Sequence, residues 1–129
     1  MLSEEEIEEI AAEARGKDIA AVICYLKREL EEKLVAYMAG LKKKDINKLD
    51  AWSIGSGGPD ELREARLRTA YHVVKLLSSY YRSASVYAWL MGTNSFLDGK
   101  APAYALRHGK LEKDFESAVN AAKSFIWTS

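Results

Sequence analysis

The chain has 129 residues, 48% of them hydrophobic and 29% charged, a mix that supports a buried core and does not read as disordered. Lys+Arg and Asp+Glu both total 19, so the net charge is zero, and no apolar run approaches the ~20 residues of a membrane span. The only cysteine, Cys24, allows no internal disulfide, and the acidic start Glu4-Glu5-Glu6 is unlike a secretory or mitochondrial leader; membrane, secreted and metal-cluster classes are excluded and a cytoplasmic protein is expected.

Ser3 followed by three glutamates predicts a helix N-cap with acids in the first turn. Ile7, Ile10, Ala11 and Ala14 form one apolar stripe, and Gly16 ends that helix. Asp18 is placed to cap the next, in which Ile19, Val22, Ile23, Leu26, Leu30, Leu34, Val35 and Met38 keep helical spacing as far as Gly40. Cys24 is expected as a small buried apolar residue on that helix. A short helix is predicted over 43–52. Gly55-Ser56-Gly57-Gly58-Pro59 is the strongest break in the chain, and Pro59 suits the first turn of a long helix over 59–81. Its inward residues are Leu62, Leu67, Ala70, Val73, Val74, Leu77 and Tyr80, with Arg66 or Arg68, or both, near solvent. A helix from Ser83 or Ser85 to Gly92, an irregular loop over 93–100, a short helix from Pro102 to Gly109 and a last helix over 111–125 complete an all-α reading, since no period-2 alternation suggests a sheet.

Charge is uneven along the chain. Residues 1–32 hold 10 acids and 4 bases, whereas 33–129 hold 9 acids and 15 bases. The bases gather at Lys42, Lys43, Lys44 and Lys48, then at Arg63, Arg66 and Arg68, as a phosphate-binding surface or as an ordinary solvated face. The acidic first helix is also placed to mask them.

Residues 31–52 have the spacing of a helix-turn-helix. Ala36 is small where two helices cross, Gly40 accepts a left-handed turn four residues later, and Ile46 and Leu49 offer the second helix an apolar face; an ordinary αα-hairpin shares some of these features. If the second helix enters the major groove, Lys42, Lys43, Lys44 and Lys48 would meet phosphates and Asn47 an adenine edge of double-stranded operator DNA, with Trp52 packing at the helix end. A homodimer would then place two such helices on half-sites about one helical turn apart.

Ten of the 13 aromatic residues lie at or after Tyr71. There the string Trp89-Leu90-Met91-Gly92-Thr93-Asn94-Ser95-Phe96-Leu97-Asp98-Gly99-Lys100-Ala101-Pro102, followed by Ala105-Leu106-Arg107-His108-Gly109, resembles the toxin-binding domain of Xre/MbcA/ParS-type antitoxins. Leu34 to Gly40, then Trp52, Gly55, Pro59 and Arg66 to Tyr71, look like that family's Xre-like portion, so the resemblance covers roughly residues 30–127 and leaves the acidic first helix outside it. It implies a type II antitoxin that binds a RES-domain toxin, an enzyme consuming NAD by phosphorolysis or ADP-ribosyl transfer, and that often represses its own promoter. The alternative is a stand-alone helix-turn-helix regulator without a toxin. The organisation expected is an acidic and lead helix over 1–30, a helix-turn-helix-like region over 31–58, and a linking helix with a small helical toxin-binding domain over 59–129. Asn94, Lys100, Arg107, Phe125, Trp127 and Ser129 are the expected toxin contacts. The family blocks its toxin with C-terminal residues, and here only the short segment 125–129 follows the expected last helix.

Nothing in the chain suggests an enzyme or a cofactor. His72 and His108 lack a Cys, Asp or His at the spacing of a metal pair and read as surface or helix-end residues. Ser56-Gly57-Gly58 lacks the lysine and the preceding strand of a phosphate loop, and the glutamates near Glu4 and Glu31 belong to exposed helix faces.

Overall fold

The acids after Ser3 do start a helix. In the computed structural model, which describes residues 1–128, helix α1 spans Glu4–Gly16, and Ser3 and Glu6 close its start reciprocally: Ser3 Oγ accepts from the Glu6 N–H (3.1 Å) and Glu6 Oε1 from the Ser3 N–H (3.0 Å). Helix α2 follows over Ile19–Glu29, with Asp18 at its N-cap position but making no side-chain cap bond.

The apolar pattern predicts one helix from here to Gly40, and the structure breaks it in two. Leu30 is extended (φ −128°, ψ 170°), and α3 runs over Glu32–Ala39. Carboxylates are unfavourable at the C-terminal end of a helix dipole and favourable at its N-terminal start. Glu31 and Glu32 therefore suit the start of α3, although Glu29 sits at the unfavourable end of α2, and buried Leu30 pins the corner. Gly40 closes α3 in the left-handed region (φ 90°), as its place in the sequence predicts.

The second helix of the motif is also divided. A single 3-10 turn covers Lys43–Asp45, and α4 is limited to Lys48–Ser53. Three consecutive lysines oppose the positive end of a helix dipole, which disfavours an α-helical start at 43. Helix α4 packs on α2, while α3 packs on later helices. Cys24 takes part in this α2–α4 contact from an exposed position, donating its thiol to Ser53 O at 3.3 Å; the buried face of α2 belongs to Val22, Ile23 and Leu26, so Cys24 is not a core residue. Lys27 pairs with Asp50 across the same contact.

Helix α5, Glu61–Ser78, is the hub. Asp60 rather than Pro59 marks its start, accepting from the Arg63 N–H at 3.2 Å. Helices α1, α2 and α3 pack on it, as do α6 (Ser83–Met91), α7 (Pro102–His108) and α8 (Glu112–Thr128). Leu67, Ala70, Val73, Val74 and Leu77 are buried as expected; Leu62 and Tyr80 are only half-buried, and Tyr71 and Leu76 join the core instead. The caps of the later helices fall where predicted, at Gly92 for α6, and at Pro102 and Gly109 for α7. The described residues contain no strand, so the chain is an all-α bundle, and none of these helices is long and apolar enough to cross a membrane.

Of the two arginines, at least one of them expected near solvent, Arg68 is half-buried and Arg66 buried, and His72, expected at the surface or a helix end, is also enclosed. Arg66 is only 8% exposed: its Nε and Nη2 donate to Gly109 O (3.2 and 3.1 Å) and its Nη1 to Ala39 O (3.2 Å). His72 is half-buried between α5 and α8, its Nε2 enclosed without a hydrogen-bond partner. Burial, then the nearby charges of Lys123 and Arg15, pushes its pKa from 6.5 down to about 4.

Arg66→Met keeps the volume but strands two carbonyls, each worth about 1–3 kcal/mol when left without a donor, so denaturant unfolding should show a loss of about 2–6 kcal/mol. Leu67→Asp should cost several kcal/mol by burying an unpaired carboxylate, and an unchanged melting temperature would place that side chain outside the core. For His72 the folded state resists protonation more than the unfolded state. Its contribution is therefore complete above pH 6.5 and is lost as pH falls from 6.5 towards 4. Melting curves between these pH values should fall less steeply in His72→Gln than in the parent chain.

Candidate interaction surfaces

The expected DNA-contacting residues do not share one helical face. Lys42, Lys43 and Lys44 are exposed on the 3-10 turn, Asn47 is exposed at the N-cap position of α4, and Lys48 pairs with Asp45 at 3.7 Å. The acidic α1 covers Arg68 on α5 but does not lie over these lysines. The left-handed turn at Gly40 instead lays the 41–46 segment beside the outer face of α3. Lys33 and Tyr37 of α3 then join Leu41, Lys42, Lys43 and Ile46 around a groove of about 580 Å³, and Arg107 reaches it from α7.

Arg107 thereby has a different role from a free toxin contact. Its Nη1 donates to Tyr37 O (2.8 Å) and Leu41 O (3.2 Å), and its guanidinium lies over the Tyr37 ring, 4.7 Å from the centroid. Lys33, Tyr37 and Ile46 were not among the expected functional residues. The i,i+4 spacing of Lys33 and Tyr37 places them on one face of α3, but the return of Ile46 to that face depends on the 3-10 turn.

The 93–101 loop is ordered by its own backbone. Asn94 O accepts from the Leu97 and Gly99 N–H groups (3.0 and 2.9 Å), Asn94 and Lys100 form an antiparallel bridge, and Asp98 and Gly99 both take positive φ (57° and 78°). Asn94 Oδ1 accepts from the Phe96 N–H at 2.9 Å, so this side chain shapes the loop rather than standing free. Leu97 is buried beneath, and Phe96 is left 67% exposed at the tip. Beside it, Lys100 lies over the Tyr104 ring, which packs against His108 at 4.2 Å between centroids. His108 is exposed at the end of α7, as expected.

The expected C-terminal tail is part of a helix. Helix α8 continues to Thr128, with Ile126 in the core, Phe125 packed against Tyr81 and Trp89, and Trp127 56% exposed beside Ile7 and Arg15 of α1. Alternating phases of one helix thus fix Phe125, Ile126 and Trp127, with Ile126 in the core; Ser129, also an expected toxin contact, lies outside the described residues. The Phe96–Lys100 loop lies near Asp114 and Ser117, at the start of α8. Trp127 is therefore about 20 Å away along the helix axis at 1.5 Å per residue. The expected toxin contacts are thus distributed over three places: the loop, the α3–α7 groove and the far end of α8.

Among the described residues, no three His, Cys, Asp or Glu side chains group as a metal site requires. Compared with protein-family models, curated proteins and solved structures, the chain matches none.

The two roles assigned here separate by stability. Phe96→Ala should leave the melting temperature nearly unchanged, within about 0.5 kcal/mol, because the ring is mostly exposed. Arg107→Ala should lower stability by about 1–2 kcal/mol, because Leu41 O loses its donor and Tyr37 O keeps only the Gly40 N–H.

Proposed function

We propose that the chain is the antitoxin of a type II toxin–antitoxin pair, binding and inhibiting a RES-domain NAD-consuming toxin in the cytoplasm, and that it has no catalytic activity of its own. The observation that carries this reading is the 94–100 loop: a short segment, closed on itself by backbone hydrogen bonds, that holds an exposed Phe96 over a buried Leu97. An inhibitor needs a rigid projection that fills a cleft, and a loop already ordered loses little freedom on binding. An exposed aromatic flanked by Lys100 and Tyr104 has the composition of an interface anchor. It lies within the string that resembles the toxin-binding domain. In this reading the loop, rather than a C-terminal tail, makes the inhibitory contact.

Binding of promoter DNA by a homodimer is the second part of the proposal. Lys42, Lys43, Lys44 and Lys48 would contact phosphates, with little base readout, because Lys43 and Lys44 lie on a 3-10 turn and Lys42 just before it, instead of on a helix that enters the groove. The same division of the second helix weighs against a regulator that acts by DNA recognition alone.

The test is NAD consumption by the RES-domain enzyme encoded beside this gene. The full chain at saturating concentration should suppress it, and Phe96→Ala combined with Lys100→Ala should restore it at least in part while leaving melting unchanged. Failure of the parent chain to bind or inhibit such an enzyme would overturn the assignment. A mobility-shift assay on the upstream region, alone and with toxin, tests the DNA component separately; binding there should fall steeply with salt.

A further inference from the structure

Four cations around the outer face of α3 have no anionic partner among the described residues. Lys33, Lys42, Lys43 and Arg107 rim the groove of about 580 Å³, and none of them forms an ion pair among the described residues. No carboxylate lines it; Asp45, on the same turn, is engaged by Lys48. The floor is apolar, formed chiefly by Tyr37, Leu41 and Ile46. The rim is partly preset, because two backbone carbonyls and the Tyr37 ring fix the Arg107 guanidinium in place. The lysines are exposed and free to adjust around it.

The geometry points to this groove as a docking site for an acidic, amphipathic peptide segment of a partner protein, with a large apolar side chain seated on the floor and flanking carboxylates meeting the rim. Charge complementarity selects the carboxylates: four unpaired cations converge on a concave surface where they raise the local concentration of anions. The floor selects the apolar anchor. A DNA phosphate backbone would satisfy the rim but leave Tyr37 and Ile46 uncovered, whereas an acidic peptide with an apolar residue satisfies both. The volume suits one or two large side chains. The site is distinct from the 94–100 loop and does not depend on the toxin reading; it shares Lys42 and Lys43 with the proposed DNA surface, so peptide and DNA would exclude one another there.

The probe is a fluorescein-labelled synthetic peptide in which glutamates flank one leucine and one phenylalanine, titrated with the full chain in the absence of toxin and DNA. Binding should saturate and should weaken by about tenfold or more in Lys33→Glu/Lys43→Glu, since reversing two exposed rim charges turns attraction into repulsion without disturbing the core. A probe with serine in place of both apolar residues, and one with glutamine in place of glutamate, should each bind at least several-fold more weakly. Absence of saturable binding would overturn the proposal, as would equal binding of the serine probe, which would reduce the site to charge alone. Undiminished binding to Lys33→Glu/Lys43→Glu would place the peptide elsewhere. A DNA duplex that binds through these two lysines while the peptide does not would replace the proposal with a nucleic-acid surface.

Discussion

The buried guanidinium of Arg66 holds the two halves of the bundle in register. The charge of Asp60 reaches it, but no carboxylate among the described residues pairs with it directly. Its hydrogen-bond acceptors are Ala39 O, at the end of α3, and Gly109 O, at the end of α7, both at the negative ends of helix dipoles. Burial of such a cation is costly unless it is hydrogen-bonded, and these carbonyls would otherwise be unfilled helix C-terminal groups. Arg63 and Arg107 add donors to the same corner, at Gly40 O (3.4 Å) and at Tyr37 O and Leu41 O. The corner tolerates little change. A Cβ on Gly40 would sit 2.4 Å from Arg66 Nη1, in a backbone conformation that side chains already disfavour.

The same device secures the acidic first helix. Arg68, two residues further along α5, donates to Ala14 O (3.2 Å) and Lys17 O (2.6 Å) at the end of α1 and pairs with Glu64 at 2.8 Å. One turn on, Tyr71 donates to Glu13 Oε1 (2.5 Å), and Lys75 approaches the same carboxylate at 3.6 Å. The Tyr71 hydrogen bond, followed by the charges of Lys75 and Lys17, outweighs burial and holds the Glu13 carboxyl below its usual pKa. The excess acid of residues 1–32 is therefore answered in part by bases of α5, and the segment that looked like a possible mask for the lysines is fastened elsewhere.

The sequence was most informative where the local chain determines the answer. Ser3, Gly40, Gly92, Pro102 and Gly109 each mark a helix end where predicted, Ser3 through its hydroxyl and Gly40 through its left-handed backbone. The break at Leu30 was hidden because the apolar spacing continues in phase across it. Arg66 was misread because arginine ordinarily faces water and because its acceptors are backbone carbonyls 27 and 43 residues away, which leave no trace in side-chain pattern. The candidate surfaces were legible in part. Lys42, Lys43 and Lys100 are exposed, as their charge suggests, but Asn94 and Arg107 hold the fold together locally. The extension of α8 through Phe125 and Trp127 was masked by two exposed aromatics on either side of a buried Ile126.

The distribution of positive charge follows from this architecture. Arg63, Arg66, Arg68 and Arg107 all cap carbonyls, and Lys27, Lys48 and Lys75 have carboxylate partners. The cations without partners around Gly40 are therefore largely lysines, mobile and strongly hydrated, surrounding a fixed arginine. Their individual attractions fade over about 8 Å at physiological ionic strength, so charge alone would gather anions there with little discrimination. Discrimination requires the adjacent apolar floor, and that floor exists only because the left-handed turn at Gly40 returns Leu41 and Ile46 to the face of Tyr37. The clearance that lets Arg66 reach Ala39 O is provided by the same glycine. One backbone conformation thus serves both the internal clamp and the shape of the outer groove, which couples the stability of the bundle to the integrity of that surface.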